Sequence, residues 1–127
     1  MIAGAIISSR EIPSKIIKLF DEMRDCYMFG LYNSTIIFCR AILEECLKQH
    51  YENTNPNVPT EEIENMQLFE LLKKVNLPKE LKKEAHEIRK KAKNILHRAQ
   101  IQNSSEIQEN ALSAIRSVTL VVENLFI

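Results

Sequence analysis

Two of the chain's three histidines, His86 and His97, bracket the stretch HEIRKKAKNILH, with Arg89 and a run of lysines between them. Over residues 79–98 eight basic residues stand against three acidic ones, in a chain that carries 17 of each overall. A local excess of that kind can attract phosphates. If the stretch is helical, at ~100° per residue, Arg89 falls at the edge of the apolar stripe and Lys93 and His97 follow it at i+4 and i+8. His86 and Lys90 share the outward half, Lys82 lies near it, and Asn94 is outward but further round. Asn94 one turn before His97, and Arg89 two turns before it, form the one constellation with chemical potential. A plainer reading stands beside it. Basic runs on amphipathic helices are commonly solvated faces, laced here by Glu80–Lys83 and Glu87–Lys91 pairs, with His86 an ordinary surface residue.

Helices must position these residues. With 2 Gly and 4 Pro the chain has little turn punctuation, and Leu, Ile, Glu, Lys and Ala dominate. No Asn-Gly or Asp-Gly hairpin signal occurs. The periodicity predicts five helices, an all-α antiparallel bundle in one domain of 127 residues. The first covers about residues 12–28, with Pro13 in its first turn and Gly30 at its end. The second, about residues 32–51, is apolar over a wide arc through Phe38, Cys39, Ile42, Leu43, Cys46 and Leu47, which predicts a central position. The loop ENTNPNVPT follows. Thr60, as cap ahead of acidic Glu61 and Glu62, predicts a third helix over residues 61–75. Pro78 opens a fourth that runs to about Arg98, its seam being Leu81, Ala85, Ile88, Ala92, Ile95 and Ala99. Ser104 or Ser105 caps a fifth that runs to about Phe126.

The chain is formally neutral, so its overall charge implies neither a nucleic-acid nor a membrane partner, and any electrostatic argument is local. Cys26, Cys39 and Cys46 are odd in number and sit in apolar helical stretches, which predicts free thiols in a reducing cytoplasm. No Cys-x-x-Cys or His-x-x-x-His spacing suggests a metal, and no cofactor motif is present. The opening MIAGAIISS lacks a basic n-region and is too short to span a bilayer. A strand-like arm on a partner, or a frayed terminus, is expected there. The absence of a linker at either end favours a free-standing domain.

The segment LYNSTIIFCRAILEECLKQHY, followed after a gap by LPKELKKEAHEIRKKAKNILH, resembles the HEPN superfamily. It looks closest to a branch of uncharacterised domains fused to restriction or defence proteins. Arg40, Leu43 and Glu44 match that branch's Arg-x-x-Leu-Glu-like signature. Ile88, Arg89, Asn94 and His97 match its second helix. The likeness spans roughly residues 31–126. It implies an antiparallel helical bundle, a homodimer and, in catalytic members, metal-independent cleavage of RNA by an Arg and a His with four to six residues between them. By this resemblance Arg89, Asn94 and His97 are the expected catalytic set, with Lys82, Lys90 and Lys93 as RNA contacts. Arginine's planar fork holds a phosphate, and histidine moves protons as the 2′-hydroxyl attacks. Seven residues separate Arg89 from His97 here, ~12 Å along a regular helix. Joint contact with one phosphate then calls for a kink or a second subunit. Arg40 and Glu44, i,i+4 neighbours on an apolar helix, are expected to be a structural pair.

Two functions follow. One is an RNA-binding or metal-independent ribonuclease domain in a defence or toxin–antitoxin setting. The other is a non-catalytic homodimerisation or protein-interaction module of the same fold, working through the apolar last helix and the N-terminal arm. A nucleotide-sensing bundle is a weaker third, for want of a glycine-rich loop.

Overall fold

Residues 12–98 and 104–127 are described in the structure, a computed structural model. Among them there are six helices and no strand: α1 (Ser14–Met28), α2 (Tyr32–Thr54), α3 (Thr60–Glu64), α4 (Leu68–Lys74), α5 (Lys79–Arg98) and α6 (Ser104–Phe126). The expected N-terminal arm and the seam residue Ala99 lie outside the described residues. No helix among the described residues is long and apolar enough to cross a membrane.

Pro13 stands at the N-cap of α1 and its carbonyl accepts from the Ile16 and Ile17 amides. Ile16, Phe20 and Met23 form the buried stripe. Gly30 then adopts φ +75°, a conformation that only glycine takes without steric cost. Its amide donates to Tyr27 O (3.1 Å) and the Leu31 amide to Cys26 O (2.8 Å). These two bonds satisfy carbonyls that the helix end would leave bare.

α2 is central, as its apolar arc predicts: it packs against every other helix, most extensively α6 and α1. Ile36, Cys39, Ile42, Leu43, Cys46 and Leu47 are all but fully buried. Thr35, buried among them, donates its hydroxyl to Leu31 O at 2.9 Å, which removes the cost of an unmade hydrogen bond. α5 contributes Ala85, Ile88 and Ala92 to the same core. α6 contributes a stripe from Ile107 to Phe126 and leaves Leu120 exposed, as is Ile127 just beyond its end.

The expected third helix is two. α3 ends at Glu64, Gln67 is extended (φ −80°, ψ 155°), and α4 begins at Leu68. No proline or glycine causes the break. On one continuous helix Ile63 and Met66 would point nearly opposite to Leu68, Leu71, Leu72 and Val75, at ~100° per residue. All six are buried. Interrupting the helix turns both faces inward, and the burial gained outweighs the few helical hydrogen bonds given up.

Replacing Leu43 by Ala leaves a cavity at the centre of these contacts, and a loss of about 2–5 kcal/mol is expected in chemical denaturation. The three cysteines are free. Burial pushes the thiols of Cys39 and Cys46 far up, whereas Cys26 is only half-buried. A thiol reagent should therefore titrate a single cysteine in the native protein and all three in denaturant. Fast labelling of more than one native thiol would contradict the packing of α2.

Candidate functional site

α5 stays a regular helix through Arg98, so Arg89, Lys93 and His97 remain on one side at successive turns. All three line an open cleft of about 540 Å³. Its other walls are α2, through Arg40 and Glu44, and residues 64–69, where α3 gives way to α4. Two segments far apart in sequence, the one with Arg40 and the one with Arg89, thus meet on one surface.

Arg89 is half-buried and fixed on two sides. Its Nε donates to His86 Nδ1 over a long 3.4 Å, and its Cζ lies 5.1 Å from the Phe69 ring centre. The His86 ring in turn meets Phe69 edge-on, centroids 6.1 Å apart. Partial burial, then the neighbouring charges of Arg89, Lys90 and Lys82, hold the His86 pKa below its ordinary value. A neutral imidazole is the form that can accept from Arg89. His86 thus positions Arg89; the sequence offered only its i,i+3 spacing as a hint.

Arg40 and Glu44 do not form the expected pair. The Glu44 carboxylate lies 3.2 Å from Lys48 Nζ, which also donates to the Glu64 carbonyl at 2.9 Å. Lys48 ties α2 to the end of α3 and draws Glu44 to itself, because an i,i+4 lysine C-terminal to a glutamate has the better geometry. Arg40 faces the cleft with no ion pair among the described residues. Nor do the predicted Glu80–Lys83 and Glu87–Lys91 pairs form; among the described residues the ion pairs involve α1 and α2.

The rest of the expected set divides. Asn94 is exposed and does not line the cleft, since five residues of helix carry it well away from the Arg89 direction. Lys82 and Lys90 lie outside the lining too. Phe69, Asn65 and Gln67 line it without having been singled out by the sequence. Among the described residues no group of three or more His, Cys, Asp or Glu side chains is placed to hold a metal ion. The chain matches no family model, no curated protein and no solved structure, so the meaning of the cleft is carried by its own residues.

The His86 contact has a pH signature. Its folded pKa is depressed, so below 6.5 the unfolded chain binds the proton more readily than the native one. Stability is therefore highest above that pH and falls as pH drops through the folded pKa. Protonation also removes the acceptor for Arg89 and sets a new positive charge among Lys82, Arg89 and Lys90, with Phe69 and its neighbour Lys73 facing from α4. An NMR titration should give His86 a midpoint below 6.5. A midpoint at or above it would mean the ring is not buried against Arg89.

Proposed function

We propose that the cleft binds the phosphate backbone of RNA, and that the chain is a HEPN-like RNA-binding domain in which Arg40, Arg89 and His97 support metal-independent strand cleavage. The observation that carries this reading is the meeting of Arg40 from α2 with Arg89, Lys93 and His97 from α5 on one open cleft. The charges of Arg40 and Arg89 are not taken up by carboxylates: Glu44 belongs to Lys48, and Arg89 leans on a histidine and a phenyl ring. Arginine forks held ready beside a cleft suit phosphate oxygens.

In the reaction, the 2′-oxygen bonds to the adjacent phosphorus as His97 accepts its proton. The bond from phosphorus to the 5′-oxygen breaks, and that oxygen takes a proton from solvent. Arg40 and Arg89 stabilise charge on the non-bridging oxygens. Arg89 and His97 are ~12 Å apart along the helix, with Lys93 between them. One phosphate does not span that interval, but successive phosphates of a strand do. Arg40, from across the cleft, supplies the second cation that a dimer partner would otherwise have to bring. The interaction-module reading has less support, because the apolar face of α6 is already packed on α2.

The test is incubation with RNA in EDTA, followed by gel and end-group analysis. Wild type should cut, leaving 2′,3′-cyclic phosphate ends, and His97→Ala should slow cutting by about 10²–10⁴-fold. Arg40→Ala and Arg89→Ala should also weaken RNA binding and flatten its salt dependence, each by ~0.7 in the log–log slope. RNA left intact in every lane would sink the cleavage claim. Absence of salt-dependent binding would sink the whole reading.

A further inference from the structure

Residues 65–69 form one wall of the cleft. They alternate strictly: Asn65, Gln67 and Phe69 are exposed, while Met66 and Leu68 are 5% and 2% exposed. Met66 and Leu68 anchor the break between α3 and α4, where Asn65 ends one helix, Gln67 is extended and Phe69 lies in the first turn of the next, and the three side chains between and beside them are left at the surface. The side-chain amides of Asn65 and Gln67 make no hydrogen bond among the described residues, and both line the cleft. Phe69 is 46% exposed. Its ring face draws the Lys73 ammonium to 4.4 Å and the Arg89 guanidinium to 5.1 Å. An exposed ring with cations over it, two unengaged amides beside it and a basic helix opposite make a composite surface, apolar and hydrogen-bonding on one wall and positive on the other.

We infer that this wall receives an unpaired nucleobase, so that the ligand class of the cleft is single-stranded RNA. The base stacks on Phe69, its edge turns to the amides of Gln67 and Asn65, and the strand's phosphates run along Arg89, Lys93 and Arg40. Base–aromatic stacking is the common device for holding single strands, and amides read base edges. A duplex cannot use the wall, because its base faces are already stacked and its deep groove excludes side chains. The incoming base displaces the exposed Lys73 ammonium from the ring, while His86 keeps Arg89 in place. The cleft volume, about 540 Å³, is within the range of sites that hold a small ligand. The inference rests on the phosphate-binding reading above.

The chain contains no tryptophan, so Phe69→Trp places a single indole fluorophore at this position. The full chain carrying it is titrated with a single-stranded oligoribonucleotide, with the same sequence as a duplex, and with inorganic polyphosphate. Wild type and Phe69→Ala are compared by fluorescence anisotropy of the labelled single strand, with circular dichroism to confirm folding. The expected result is saturable quenching of the Phe69→Trp indole by the single strand but not by duplex or polyphosphate, and a loss of about tenfold in single-strand affinity for Phe69→Ala. An unquenched indole in a chain that still binds the single strand overturns the stacking site and leaves the phosphate cleft standing. So does undiminished affinity of folded Phe69→Ala. Failure of wild type to bind either the single strand or polyphosphate overturns the phosphate reading itself.

Discussion

The burial of α2 is the constraint on which the rest of the molecule depends. A helix that touches all five others has little room for charge, because an ion taken out of water must be paired or must reach solvent. Its residues Arg40, Glu44 and Lys48 follow one another at i, i+4 and i+8 along one side. Arg40 and Glu44 open on the cleft, whereas Lys48 lies beyond its lining, in a depression shared with Glu45, Gln49 and Glu64. Lys48 ends at the tip of α3 and carries Glu44 with it, and Arg40 is left facing the opening. The position of Arg40 is therefore a consequence of how the core is packed, and any change that loosens α2 also moves the cation.

A second sorting of charge occurs across α5. Its seam of Ala85, Ile88 and Ala92 is buried. On one flank of the seam, Glu84, Glu87 and Lys91 border a shallow depression against Ser113 and Ser117 of α6, where Lys91 donates to Asn110 at 3.4 Å. On the other flank are Arg89, Lys93 and His97. A protein with no net charge thus has a locally positive face, because the helix separates its acids from part of its bases. Formal neutrality had removed only whole-molecule attraction as an argument, and a field confined to one cleft is compatible with it.

How much of this was legible in the sequence follows from what kind of information each feature needs. The long helices were readable because their apolar periods are uninterrupted and Gly30 and Pro78 punctuate them. The break after Glu64 was readable in principle, since the apolar residues change face between Met66 and Leu68, but a pattern of mixed spacing looks continuous when it is only counted. Arg89, Lys93 and His97 needed only the helical angle. Asn94 entered the expected set by its one-turn spacing from His97 and by the resemblance to HEPN proteins, and the same helical angle that set it further round keeps it out of the cleft lining. Arg40 needed tertiary structure, because nothing in the residues 35–47 says which neighbour leaves a gap. The roles of Phe69 and His86 needed it more, since each is defined by contact between α4 and α5.

The spacing of Arg89 and His97 also bears on what the cleft can hold. An arginine and a histidine two turns apart cannot close on one phosphate, and the unbroken helix gives no kink to shorten the distance. A site built for a single phosphate would gather its donors at one point, as a helix end or a glycine-rich loop does. Here the donors are strung along a helix with Lys93 between them, and the wall at residues 65–69 runs along the other side with polar, polar and aromatic side chains in turn. If the cleft takes a strand as proposed, the cations of α5 would meet its phosphates and the wall at residues 65–69 its bases. On the proposed reading the long spacing suits a strand rather than a single phosphate, and Arg40 brings the second arginine to the cleft from within the same fold.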